Sequence, residues 1–130
     1  MDLTVRLQIL KDAGQISEQC YQSMLKLIDV LAEKWNIILN EENGAMLITH
    51  VAIAWERILK HEVISAIEEL LYKEVESSKY FRQSQQILTD WELELKKAFP
   101  QVEKEYIMLH LCALLEKEEV RDETRGKFEK

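Results

Sequence analysis

Apolar residues recur at intervals of three and four along most of this chain, the spacing that lines up side chains on one face of an α-helix. Ile16, Cys20, Met24, Leu27, Ile28, Leu31 and Trp35 mark a first long amphipathic helix, and Ile38 and Leu39 can extend it. Its opposite face, with Glu18, Gln22, Lys26, Asp29 and Glu33, reads as solvated surface. Asn40 suits the cap of a second helix, and Glu41 and Glu42 complement the positive end of its dipole. Leu47, Ile48, Val51, Ala52, Trp55, Ile58 and Leu59 carry that helix to about Lys60 and cover more than one of its faces, so it is expected to pack centrally. A third helix is predicted over residues 62–77, with Val63, Ile67, Leu70, Leu71 and Val75 turned inward. Ser77 and Ser78 separate it from a fourth, whose inward stripe is Tyr80, Ser84, Ile87, Leu88, Trp91, Leu95 and Phe99. Pro100 ends the fourth and suits the first turn of a fifth, predicted over residues 101–117. No stretch alternates apolar and polar residues for long, which argues against strands.

The expected fold is therefore all-α, a compact five-helix bundle over residues 16–117. Residues 1–15 are expected as an N-terminal arm or short helix, and residues 118–130 as a charged tail. The 3 glycines and 1 proline leave few helix breakers, which reinforces long helices joined by tight turns. A chain of 130 residues, 47% apolar and 32% charged, suits one globular domain with a modest core.

Charge removes one class of function. Seventeen basic side chains are scattered among 24 acidic ones, for a net charge of −7. Nucleic-acid binding needs a clustered basic surface that displaces counterions, so no direct nucleic-acid contact is expected. Cys20 and Cys112 both fall on apolar faces and read as small hydrophobes in a reducing compartment. No apolar run of about 18 residues or secretory leader is visible, so a cytoplasmic chain without a membrane span is expected.

Two stretches carry unusual chemistry. In ITHVAIAWERI, Ile48 to Ile58, His50 and Arg57 are seven residues apart and share one semi-apolar stripe with Ile53 and Ala54. His61 would extend the row if the helix ran that far. In FPQVEKEYIMLHLCALL, His110 shares a stripe with Glu103, Tyr106, Ile107 and Leu114. Either histidine could be a satisfied interfacial side chain, and Arg57 could pair with an acid such as Glu103. His61 and Glu62 begin an H-E-x-x-H pattern, but Ser65 stands at the second ligand position. No metal and no cofactor are expected. Trp35, Trp55 and Trp91 lie at helix-face spacing and are expected in the core. No catalytic triad order, glycine-rich phosphate loop or clustered carboxylate pair stands out, so the chain is not expected to be an enzyme.

The two histidine blocks together resemble the PTS regulation domain (PRD), an all-helical module of bacterial regulators controlled by the phosphotransferase system. Its first signature, H-x-x-x-A-x-x-R, is matched by His50, Ala54 and Arg57. Its second, a proline followed by E-x-x-(aromatic)-I-x-L-H, is matched by Pro100, Glu103, Tyr106, Ile107, Leu109 and His110. The resemblance covers roughly Ile16 to Lys117. It implies a receiver in transcription regulation whose His50 and His110 accept a phosphoryl group from the phosphocarrier HPr or from an EIIB component. Phosphorylation would then shift homodimer or partner contacts, with Arg57 as the supporting cation. Thr49 stands where the family often has Asp before the first histidine. The family usually carries two such domains behind an RNA- or DNA-binding domain, and 130 residues hold only one, so a stand-alone member working on a separate regulator chain is expected. The alternative is a non-catalytic helical interaction module that has lost phosphorylation.

Overall fold

Six α-helices and no strand make up the regular structure among the described residues of the computed structural model, which gives the backbone of residues 2–128 and the side chains of residues 2–119. They are α1 (Leu3–Asp12), α2 (Glu18–Trp35), α3 (Glu41–Leu59), α4 (Glu69–Glu76), α5 (Phe81–Leu95) and α6 (Gln101–Phe128). The all-α expectation holds, and the count of five becomes six. The added helix is α1, from the segment that sequence left open between an arm and a short helix. Leu3 and Leu7, spaced one turn apart, are 4% and 0% exposed, so this terminal segment is docked rather than frayed. The Asp2 carboxylate accepts from the Val5 N–H and caps it, and the Arg6 guanidinium pairs with Glu41 at the start of α3.

Caps set the helix boundaries. Ser17 Oγ accepts from the Cys20 N–H at 3.1 Å, which starts α2 two residues later than the apolar pattern does. Asn36 takes a left-handed conformation (φ 55°) and ends α2 before Ile38 and Leu39. Asn40 caps α3 as expected. Its side chain accepts from the Asn43 N–H while the Asn43 side chain accepts from the Asn40 N–H, at 2.9 and 2.8 Å. Lys96 (φ 56°) ends α5, and Phe99 beyond it is still 2% exposed, held by an N–H bond to Glu92 and an edge-on contact with Trp55.

The main correction concerns residues 62–77. Only Glu69–Glu76 of that stretch is helical; residues 62–68 have no regular structure. His61 (φ 58°) turns the chain out of α3, and Val63 and Leu70, expected inward, are 92% and 68% exposed. Ile67 and Val75 alone of the five expected positions are buried. Val63, Ile64 and Ile67 are β-branched, which weakens helix propensity. Extended chain also advances about 3.3 Å per residue against 1.5 Å in a helix, which lets few residues cross to α4. At the other end, α6 continues past the expected limit at Lys117.

Helices α2, α3, α6 and α5 close a ring of neighbours around the core, α1 lies on α3 and α2, and α4 lies on α6. Leu27, Leu31, Ile48, Val51, Ile87, Trp91, Ile107 and Leu111 meet inside the ring, fully or almost fully buried. Trp91 donates its indole N–H to the Leu27 carbonyl, and half-buried Trp35 donates to Asp90. Both cysteines are buried and free, and burial together with the nearby Glu56 charge pushes the Cys20 thiol up to about 12. Among the described residues, no helix is long and apolar enough to cross a membrane.

Candidate functional site

Helix α3 places His50 and Arg57 two turns apart on one stripe, and α6 does the same with Glu103 and His110. The structure pairs the outer members crosswise. The His50 and His110 rings stack, and Arg57 meets Glu103. Seven residues forward on α3 thus correspond to seven residues backward on α6. The two helices run antiparallel, in a register where each sequence stripe is the other's partner. Asn43 and Glu118 continue the same register at the far end of the seam, amide to carboxylate at 2.8 Å.

The two imidazole planes lie 4.4 Å apart, centroid to centroid, and are inclined by 12°. His50 is the exposed member and His110 the partly buried one. Among the described residues neither ring has a hydrogen-bond partner, so no carboxylate or carbonyl occupies their nitrogens. Burial, and then the charge of His50, lowers the His110 pKa from 6.5 to about 4. At neutral pH His110 is therefore uncharged, with one ring nitrogen carrying a lone pair.

Arg57 grips Glu103 with two parallel bonds, Nε to Oε2 at 3.2 Å and Nη2 to Oε1 at 3.0 Å. Glu103 is only 3% exposed, and such a carboxylate needs this compensation. The bond to Glu103 raises the Arg57 pKa further above its ordinary value, so this is a fixed cation. The fork engages two of the five guanidinium N–H groups, and the same side chain lines the cavity beside the histidines. Arg57 thus pairs with Glu103, as one of its sequence readings has it, and still lines the cavity.

That cavity has a volume of about 490 Å³ and is bounded by His50, His110, Arg57, Tyr106, Ile64 and Ser65, with Ile53 and Leu109 among the apolar walls. Ile64 and Ser65 were not legible as site residues, because their segment reads as helix. The Tyr106 hydroxyl, one turn before His110, donates to the Ser65 carbonyl at 3.3 Å. His61, in contrast, does not extend the row: its left-handed backbone carries it off the α3 stripe into solvent. Thr49 Oγ1 is buried without a hydrogen-bond partner. A larger cavity, about 780 Å³, lies by Asn40, Asn43, Ala113 and Lys117 and contains no histidine or cysteine, so its size does not make it the chemical site.

One buried acid escaped the sequence pattern. Glu56 is 7% exposed and accepts from both the N–H and the hydroxyl of Ser17, at 2.9 and 2.8 Å, with Lys60 at 3.3 Å. Burial pushes its carboxyl up, but the Ser17 bonds and Lys60 outweigh that and hold it below the ordinary value. It ties the C-terminal half of α3 to the start of α2, and so fixes the helix that carries His50. The available signal was its place one turn after Ala52, on a helix whose apolar residues cover more than one face. Among the described residues no three His, Cys, Asp or Glu side chains gather in a way that could hold a metal ion.

YhfY, an uncharacterized protein of Escherichia coli (strain K12), is 26% identical over 116 residues, covering 86% of this chain and 93% of its own. No solved structure gives a significant match. The family model described as the PRD domain matches residues 25–114, which takes in both histidines, Arg57 and Glu103. The match spans well over half of the chain, and on that basis the chain belongs to the PRD domain family.

Proposed function

We propose that this chain is a receiver of the bacterial phosphotransferase system, taking a phosphoryl group on His50 or His110 from HPr or an EIIB component. The observation that carries the proposal is the stacked histidine pair: two imidazoles with unpartnered nitrogens, beside a guanidinium, in one cavity. In the transfer, the lone pair of a neutral ring nitrogen attacks phosphorus. The phosphorus–nitrogen bond of the donor phosphohistidine breaks, and its electron pair stays on the donor imidazole. The acceptor keeps its N–H on the other nitrogen. His50 is the more accessible acceptor, and His110 is held neutral beneath it. The transferred group brings about −1.5 to −2 charges into a semi-apolar seam. The N–H groups of Arg57 beyond the Glu103 fork suit its oxygens.

The output is a changed contact with a second copy of the chain or with a separate regulator chain in the cytoplasm. A charge of that size on the α3–α6 seam favours whichever packing gives it a cation or water, which is how a local modification becomes a switch. The test is phosphotransfer in vitro, with phosphoenolpyruvate, enzyme I and HPr, with and without EIIB proteins. Intact mass should show an acid-labile phosphoryl adduct that disappears in His50→Ala or His110→Ala. No adduct on the folded chain with any donor would sink the receiver role.

A second reading, a helical interaction module that takes no phosphate, draws on Thr49. The family often has Asp there, and this hydroxyl orients neither ring. A partner captured equally well by the native chain and the double histidine variant would favour it.

A further inference from the structure

Residues 63–67 run beside the histidine cavity as a strap, and few polar contacts attach them. The strap leaves α3 through the left-handed His61 and the Glu62 N–H bond to Arg57 O, and rejoins regular structure at α4. Ile64 and Ser65 line the cavity together with the imidazoles, Ile67 is buried, and Val63 is 92% exposed. Among the described residues, one hydrogen bond joins residues 63–67 to the rest of the chain, from the Tyr106 hydroxyl to the Ser65 carbonyl. Tyr106 and His110 are four apart on α6 and therefore neighbours on its surface, about 6 Å between Cβ atoms. Both line the same cavity as His50 and Arg57.

From this geometry we infer that Tyr106 is a positioning residue that latches the strap against the histidine cavity and gives it up when a phosphoryl group arrives. The inference rests on the receiver role proposed above. A phosphoryl oxygen bears nearly a full negative charge, and a charge-assisted hydrogen bond is roughly twice as strong as one to a neutral carbonyl. Both rings and Tyr106 line one cavity, so a phosphoryl group seated in it shares that space with the Tyr106 side chain. The hydroxyl exchanges the Ser65 carbonyl for the phosphoryl oxygen, and the strap loses its polar tether. The strap thereby converts a modification in the cavity into a change on the outer surface, at Val63 and its neighbours.

The test is limited proteolysis by thermolysin on the full chain and on Tyr106→Phe, before and after phosphorylation by phosphoenolpyruvate, enzyme I and HPr, with the rate of cutting within residues 62–68 read by mass. Intact mass gives the phosphorylated fraction in each sample. Phenylalanine keeps the ring and removes only the donor, and an unchanged urea midpoint confirms that the bundle is intact. Cleavage tracks the population of the released strap when release is fast against cutting. Unphosphorylated Tyr106→Phe should be cut about 2- to 10-fold faster in the strap, the factor that one net hydrogen bond represents. Phosphorylation should raise strap cleavage in the native chain to a similar degree and add nothing in Tyr106→Phe. An unchanged strap in Tyr106→Phe overturns the latch. A strap that ignores phosphorylation in a chain shown by mass to be labelled, or that responds equally in both chains, overturns the exchange alone. Absence of any adduct on the folded native chain overturns the receiver role and the phosphate-driven release together.

Discussion

Breaking the Arg57–Glu103 fork should show that the pair organises the α3–α6 seam rather than decorating it. Removing one partner of a fully buried ion pair costs about 3–5 kcal/mol, because the other charge is left buried and unpaired. Here the two partners are unequal: the Glu103 side chain is 4% exposed and that of Arg57 is 29% exposed. Arg57→Met strands the buried carboxylate, and with a partly wet site the expected loss is about 2–3 kcal/mol. Glu103→Gln leaves a guanidinium that water can reach and an amide oxygen that still accepts one bond, so the expected loss is about 1–2 kcal/mol. In the double variant no charge is stranded, and the loss should be about 1–2 kcal/mol instead of the sum, a coupling of about 2 kcal/mol. Urea denaturation at pH 7 in low and high salt is the assay, read with the thermal midpoint, which moves by about 3–5 °C per kcal/mol in a domain of this size. Salt should leave most of the coupling in place, since one partner is inside. If the two single effects add within about 0.5 kcal/mol, the pair is not coupled and the seam is held by apolar packing alone.

Further outcomes follow from single sites. His110 has a folded pKa of about 4 against 6.5 in the unfolded chain, so between those values the unfolded chain binds the proton and stability falls as pH falls. Discounted for the ring's partial exposure, this amounts to about 1 kcal/mol at pH 5, and the native chain should lose that much more than His110→Gln does in denaturation at pH 5 against pH 7. Trp91→Ala removes a fully buried indole and its bond to the Leu27 carbonyl, and should lower stability by about 3–5 kcal/mol in urea titrations. Ser17→Ala removes both the α2 cap and the hydroxyl bond to Glu56, an expected loss of about 1–2 kcal/mol by the same titration. Lys96 is left-handed at the end of α5, and Lys96→Gly should raise the unfolding midpoint by relieving about 0.5–1 kcal/mol of backbone strain.

The parts read correctly from the sequence are those governed by local periodicity and capping. Asn40 starts α3 because its side chain reaches its own backbone three residues on, a contact that needs no other helix. The stripe from Tyr80 to Trp91 predicted the buried face of α5 because residues three and four apart must share a face in any helix. Residues 62–68 were misread because Val63, Ile67, Leu70, Leu71 and Val75 mimic that spacing, while the turn at His61 comes from a left-handed backbone at a residue that does not advertise it. Ile64 and Ser65 were lost as site residues with that segment. Glu56 was lost because a carboxylate on an apolar helix looks like an interruption until Ser17 is placed against it.

The sequence by itself determined that the chain is helical, which face of each long helix is buried, and that two histidines lie on apolar stripes with an arginine and a glutamate two turns away. Those properties depend on residues within about two turns of each other, where backbone geometry is known in advance. Only the tertiary structure decided that His50 stacks on His110 while Arg57 engages Glu103, and that Ile64 and Ser65 border the resulting cavity. Those facts depend on the antiparallel register of α3 against α6. Close packing of side chains some 50 residues apart sets that register, and no local pattern records it.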